Sequence, residues 1–208
     1  MKLFFDTEFT GLHKDTTLIS LGMVSEYGHK FYGVFTDYDK SQCNTWIKEN
    51  VIKHLSDLSG FDTNHLVTVE DNHSTIKLRL EHWLRMMLAV IGDESIELVS
   101  DVAHYDMTLF INIFGTAFDL PEYIAPACID VNQMITDVFD VSLQQAFDIS
   151  REELLEKLSP GSKLLKFQNK HNSLYDACVI MELYKELNAL VDYKKMKLLN
   201  DIKESLLK

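Results

Sequence analysis

Residues 2–6 read KLFFD, an apolar run that ends on a carboxylate. Short runs of this kind, rich in aromatic and branched side chains, are typical of buried β-strands. Two further runs follow, TLISLGMVS at 17–25 and KFYGVFT at 30–36, with a turn signal at Gly28 between them. We therefore predict three strands, of which the second and third form a hairpin.

The rest of the chain alternates between helical and extended patterns. Apolar residues at helical spacing indicate helices, and compact apolar runs indicate strands. We predict two more strands at 96–100 and 124–129, a loop-rich stretch at 139–168, and helices at 41–58, 74–91, 105–115, 130–138, 173–190 and 193–207. This order predicts an α/β fold with a central mixed five-stranded sheet and helices on both faces.

Composition limits the class of protein. A chain of 208 residues with 46% hydrophobic and 25% charged residues is expected to form one globular domain over 1–208, with 192–208 as a C-terminal helical extension. No stretch is apolar enough for a membrane span or a secretory signal, and the three cysteines show no pairing motif, so we expect a cytoplasmic protein. A net charge of −12 speaks against coating nucleic acid but not against cutting it.

Two carboxylates stand at the end of the first strand. Asp6 and Glu8 are two positions apart, so their side chains leave the strand on the same face and repel each other. A shared proton or a divalent metal would relieve that repulsion. The alternative is a strand end that becomes polar where it meets solvent.

A second polar group lies far along the chain, at His171 and Asp176. Asp176 falls in the first turn of a predicted helix and His171 just before it, where the positive end of the helix dipole favours phosphate or carboxylate. The alternative makes Asp176 a first-turn charge and His171 a loop histidine.

These residues resemble the motifs of the DEDDh 3′→5′ exonucleases of the ribonuclease H-like superfamily. Residues 5–12, FDTEFTGL, are similar to the first motif, Tyr105-Asp106 to the middle motif, and His171 with Asp176 to the third motif, His-x4-Asp. The resemblance covers nearly the whole chain and is strongest to a short bacterial and phage group resembling an exoribonuclease. It implies a ribonuclease H-like fold.

The middle motif departs from the commoner family form. Residues 100–104 read SDVAH where the family usually has a histidine and an asparagine, so Asp101 is a rival to Asp106. We favour Asp106 because it follows an aromatic residue at the start of a helix.

The resemblance implies a metal-dependent 3′→5′ exonuclease that releases nucleoside monophosphates from RNA, or from single-stranded or overhanging nucleic acid, with RNA favoured over DNA. Two Mg²⁺ or Mn²⁺ ions would be bound by Asp6, Glu8, Asp106 and Asp176. His171 would act as the general base, because its pKa lies near neutrality.

Candidate substrate-binding residues lie beside these motifs. The resemblance implies that Phe9 and Leu12 contact the terminal base, and we group Thr7 with them. Lys166 and Lys170 belong to a stretch without acidic residues that leads to His171, so they are candidates for phosphate binding, although a solvated loop would read the same way.

Two other readings stay open. The chain could be a catalytically silent member of the fold that binds nucleic acid or protein. It could also be an endonuclease or the proofreading subunit of a polymerase. Sugar preference, strandedness and pathway are not encoded in these motifs. The apolar surface of a C-terminal helix could support a homodimer, and no membrane partner is expected.

Overall fold

A computed structural model describes residues 1–167 and 169–206, with side chains up to residue 197. Its elements alternate between strands and helices, as the sequence predicts. The strands are β1 (Lys2–Phe9), β2 (Leu18–Ser25), β3 (Lys30–Phe35), β4 (Leu66–Asp71), β5 (Ile96–Ser100) and β6 (Ile124–Asp130). The helices are α1 (Thr45–Asn50), α2 (His73–Ile91), α3 (Ala103–Phe114), α4 (Val131–Phe139), α5 (Leu143–Asp148), α6 (Arg151–Leu158) and α7 (Ser173–Leu206).

The strands form one mixed sheet in the order β4-β3-β2-β1-β5-β6. Strand β2 is antiparallel to both of its neighbours, β1 and β3, whereas β4 is parallel to β3, β5 is parallel to β1, and β6 is parallel to β5. The five predicted strands are confirmed, but the predicted number of strands is wrong, because the sheet contains a sixth strand, β4. This strand, LVTVED, lies at the sheet edge with side chains that are exposed or only half-buried, so it lacks the apolar run of a buried strand.

Helices cover both faces of the sheet, as predicted. Leu3 and Phe5 of β1 pack in a core with α2 and α3. Phe4, which points the other way, packs in a second core with side chains of α4, α5, α6 and α7. Alternation along a single strand thus builds two hydrophobic layers.

Two of the predicted segments are wrong. The helix predicted at 41–58 is only α1 with a short 3₁₀ turn on each side, because Asn44 caps α1 by accepting from the Ile47 N–H at 2.9 Å. The loop-rich stretch predicted at 139–168 contains α5 and α6, whose starts are capped by Ser142 and Ser150. Both helices turn out to border the functional cleft.

The C-terminal region is one continuous helix rather than the two predicted. No glycine or proline interrupts α7 between 173 and 206, so nothing in the chain stops it. Residues 207 and 208, the end of the predicted extension, lie outside the described part. Within the described residues no helix has the length and apolarity needed to cross a membrane.

Candidate active site

The start of α7 lies directly against the sheet. On Gly22 of β2, which pairs with Asp6 of β1, a Cβ atom would come within 2.2 Å of the backbone of Ser173 and Leu174. The hydroxyls of Ser20 and Ser173 are hydrogen bonded at 2.9 Å in the same contact. A residue without a side chain therefore lets the first turn of α7 approach the two carboxylates of β1.

This approach brings the first and third sequence motifs together. The His171 backbone N–H donates to Asp176 Oδ2 at 2.9 Å, and His171 has a φ of 65°, which is uncommon for a residue with a side chain. His171 Nδ1 lies 3.9 Å from Glu8 Oε1. Ligand atoms of Glu8, His171 and Asp176 all lie within 4.8 Å of one another.

The middle motif reaches the same place from α3. The Thr7 backbone N–H donates to Asp106 Oδ1 at 3.2 Å, the Thr7 hydroxyl donates to the same oxygen, and the Ser100 hydroxyl donates to Asp106 Oδ2. Asp106 is buried, and its carboxylate atoms lie within 4.8 Å of those of Asp6 and Asp101. The predicted four carboxylates and the histidine thus converge.

The rival residue Asp101 has different surroundings. Its carboxylate borders the open cleft and forms a 2.9 Å ion pair with Arg151 Nε. Asp106 does not border the cleft. Both aspartates place a carboxylate oxygen within 4.8 Å of one of Asp6, but Asp106 is buried whereas Asp101 lines the cleft.

A cleft of about 420 Å³ opens above the carboxylates. Its basic side chains are Arg151, Lys170 and His171. Its acidic side chains include Asp6, Glu8, Asp101, Glu152 and Asp176, and the end of α5 with the short link to α6 contributes a wall of Phe147, Asp148, Ile149 and Ser150. The volume is that of a small-molecule site and is large enough for a nucleotide.

The carboxylates are strained electrostatically. Burial raises the pKa of Asp6 and Glu8 well above the usual range, and repulsion from neighbouring carboxylates adds to it. The pKa of Asp176 is raised in the same way, by burial and then by Asp101. Burial raises the pKa of Asp106 to about 7, against the opposing hydrogen bonds from Ser100 and Thr7.

The donor set fits divalent cations. Asp6 Oδ2 is buried and, within the described part of the chain, has no hydrogen-bond partner. A buried carboxylate oxygen without a donor is costly unless a cation binds it. Several hard oxygen ligands in one acidic cleft are the arrangement that Mg²⁺ and Mn²⁺ prefer.

His171 is suited to proton transfer. Burial lowers its pKa, and the nearby Lys170 adds to the effect, so the imidazole is neutral at neutral pH. The ring meets the Trp46 indole edge to face, with 5.0 Å between ring centroids.

The predicted substrate-binding residues are divided between two places. Thr7 and Lys170 border the main cleft, although Thr7 donates its hydrogen bonds to Asp106. Phe9 and Leu12 border a neighbouring cleft of about 410 Å³, where the Phe9 ring lies 6.1 Å from that of Tyr105. Lys166 ends a 3₁₀ turn and does not border either cleft.

Sequence reasoning missed Trp46, Phe147 and Arg151. Phe147 and Arg151 fall in the stretch predicted as loop, and Trp46 falls in the overlong helix. The capping signals at Ser142 and Ser150, each followed three residues later by Gln or Glu, could have revealed the two helices.

Comparison with known sequences finds similarity to a bacterial protein. Over 137 residues the chain is 28% identical to a 3′-5′ exoribonuclease of Mycobacterium tuberculosis, recorded in two strains; the match covers 66% of this chain and 75% of the relative. No family model matches the chain.

Comparison with solved structures shows the same fold. The nuclease domain of 3′hExo, described as a DEDDh family member bound to rAMP, has a TM-score of 0.59 and 17% identity, with 92% of both chains covered. A 3′-exonuclease solved for 3′-end-specific recognition of a histone mRNA stem-loop has a TM-score of 0.57 and 16% identity, covering 92% of this chain and 81% of the other. The ribonuclease H-like fold expected from the sequence is thus confirmed.

Proposed function

We propose that this chain is a DEDDh-type 3′→5′ exonuclease that hydrolyses phosphodiester bonds at the 3′ ends of RNA and releases nucleoside monophosphates. The observation that carries the proposal is the carboxylate set around Asp6, whose Oδ2 atom is buried without a hydrogen-bond partner in the described residues. A silent binding protein would have no need to retain repelling carboxylates in this geometry.

The chemistry follows from the cleft. Two Mg²⁺ or Mn²⁺ ions held by Asp6, Glu8, Asp106 and Asp176 would supply an activated water and stabilise the leaving oxygen. Neutral His171, whose Nδ1 lies 3.9 Å from Glu8 Oε1, would accept a proton from the attacking water. Lys170 borders the cleft and attracts the substrate phosphate.

RNA is the substrate that we favour. The relatives from Mycobacterium tuberculosis carry the name 3′-5′ exoribonuclease, and one structural neighbour was solved with rAMP. In the neighbouring cleft, Phe9 and the exposed Leu12 can contact the bases of a single-stranded end. We place the enzyme in the cytoplasm of a bacterium or phage-infected cell, where RNA ends are available.

A homodimer is a further part of the proposal. Tyr193 and Met196 of α7 are exposed apolar side chains that a second copy could cover. Light scattering of the purified protein distinguishes a dimer from a monomer of 24.0 kDa.

The decisive experiment uses RNA and DNA oligonucleotides labelled at the 5′ end, with a free or a blocked 3′ end. We expect stepwise shortening of RNA from the free 3′ end with Mn²⁺ and none with EDTA. Asp6→Ala should lower turnover at least about a hundredfold with the fold intact. The control Asp15→Ala, which removes an exposed carboxylate from the loop after β1, should not change the rate.

Three results would contradict the proposal. Internal cuts in a 3′-blocked oligonucleotide would identify an endonuclease. RNA binding without cleavage under any divalent metal would favour the catalytically silent alternative. An Asp6→Ala protein as active as the parent would place the active site elsewhere.

A further inference from the structure

The guanidinium of Arg151 joins three parts of the fold beside the cleft. Nε donates to Asp101 Oδ2 at 2.9 Å, and Nη1 donates to the backbone carbonyls of Ala146 and Ile149 at 2.9 and 2.7 Å. Nη2 donates to the side-chain oxygen of Asn132 on α4. The side chain is only 12% exposed, so this is a built contact and not a mobile surface pair.

Asp101 is held from two sides. Arg151 binds its carboxylate, and the Asn132 side-chain amide donates to its backbone carbonyl. The same carboxylate lies within 4.8 Å of ligand atoms of Asp6 and Asp106. Any movement of Arg151 would therefore move a carboxylate that borders the proposed metal site.

The other arm of the guanidinium holds the cleft wall. The carbonyls of Ala146 and Ile149 stand on either side of Phe147 and Asp148, which face the cleft. One side chain thus connects the wall contributed by α5 and α6 to the carboxylate cluster. Lysine can replace it only in part, because an ammonium lacks the planar fork that reaches acceptors in several directions.

We propose that Arg151 is a positioning residue of this active site, fixing the Asp101 carboxylate beside Asp6 and setting the width of the cleft. The proposal rests on the proposed function and extends it to a residue outside the three motifs. Arg151 acts through Asp101 and does not itself contact the reacting atoms.

A double-mutant cycle tests the connection between the two residues. We expect Arg151→Gln and Asp101→Asn each to lower kcat about tenfold, with KM changed less than about twofold. The double variant should also lose about tenfold and not about a hundredfold, because both changes break one interaction. Additive losses in the cycle would overturn the proposal.

Metal binding supplies a second readout that does not depend on activity. Removing a positive charge beside several carboxylates should leave Mn²⁺ affinity unchanged or increase it. A cleft that merely collapses would bind Mn²⁺ more weakly. Weaker Mn²⁺ binding by Arg151→Gln, measured calorimetrically, would therefore overturn the proposal about Arg151. Inactivity of the parent protein on RNA would refute the proposed function, and it would leave this binding test unaffected.

Two controls keep the test interpretable. Arg85→Gln removes an arginine on α2 that is 68% exposed and should change neither kcat nor Mn²⁺ affinity. If Arg151→Gln does not fold, Arg151→Lys takes its place in the cycle. The lysine keeps a positive charge beside Asp101, so Arg151→Lys should retain more kcat than Asp101→Asn. An Arg151→Lys protein with a lower kcat than Asp101→Asn would contradict the proposed role.

Discussion

Asp101 and Asp106 both lie near Asp6, yet they have different partners. Asp106 accepts hydrogen bonds from Thr7 and Ser100 and is buried, whereas Asp101 borders the cleft and pairs with Arg151. An asparagine at 106 would turn an amide group toward these donors and would also remove a ligand charge.

We therefore expect Asp106→Asn to abolish measurable turnover and to weaken Mn²⁺ binding, and Asp101→Asn to cost only about tenfold. Single-turnover rates and Mn²⁺ titrations of the two variants provide the comparison. If Asp101→Asn were the inactive variant, the middle ligand role would transfer to Asp101.

His171 gives a prediction with a defined pH dependence. Burial lowers its pKa, so the neutral, basic form is lost only when the pH falls below the usual histidine range. The rate of the parent should rise with pH through this titration and be flat above it. His171→Ala should lose about 10²–10⁴-fold in rate and lack this limb, with Mn²⁺ affinity nearly unchanged.

The matched control is His82→Ala, which removes an exposed histidine on α2 and should keep both rate and profile. Identical pH profiles for the parent and His171→Ala, with little loss of rate, would reduce His171 to a loop histidine.

Contact between β2 and α7 decides whether the motifs meet. Because a Cβ on Gly22 would lie 2.2 Å from the backbone of Ser173 and Leu174, Gly22→Ala must push the start of α7 off the sheet. We expect Gly22→Ala to lose about 1–3 kcal/mol in the free energy of unfolding. Its kcat should also fall, because Asp176 moves away from Glu8.

Gly33→Ala is the control for this prediction. The alanine methyl group on β3 would meet side-chain atoms of Ile76 and Phe31 at 3.1 and 3.2 Å, and side chains can adjust where a helix backbone cannot. Urea unfolding and kcat are measured for both variants. Gly22→Ala with normal kcat would show that the close approach is not needed to assemble the site.

The stability of the whole molecule should depend on pH through its buried carboxylates. In the folded protein the pKa of Asp6, Glu8 and Asp176 is raised, and that of Asp106 is raised to about 7. The folded state therefore holds protons that the unfolded chain releases above about pH 4. The metal-free protein therefore becomes less stable as the pH rises from about 4 through the raised pKa values of these carboxylates.

Metal should reverse this trend, because cations bind the ionised carboxylates. We expect the melting temperature of the EDTA-treated protein to fall between pH 5 and pH 8, and Mn²⁺ to raise it more at pH 8 than at pH 5. Asp6→Asn should raise the melting temperature without metal and reduce the Mn²⁺ effect. A metal-free protein that becomes more stable over this range would contradict the assignment of the carboxylates.

Much of the fold follows from local patterns, and the errors have local causes. Gly92 caps α2 in the left-handed conformation, and Asp130 caps α4 by accepting from the Asn132 N–H, so both helices end or begin at a residue type typical of that position. Strand β4 was missed because an edge strand need not be apolar, and α5 with α6 was missed because short polar helices depend on caps and tertiary packing.

Local sequence was sufficient to identify β1, the carboxylates of Asp6 and Glu8, and the motif pair His171 and Asp176, because strand alternation and motif spacing are properties of neighbouring residues. The folded chain alone decided that these groups meet across Gly22, that Asp101 is paired with Arg151, and that Asp106 is buried and hydrogen bonded to Thr7. Such contacts join residues distant in the chain, and their geometry depends on how closely helix and sheet backbones approach, which no local pattern records.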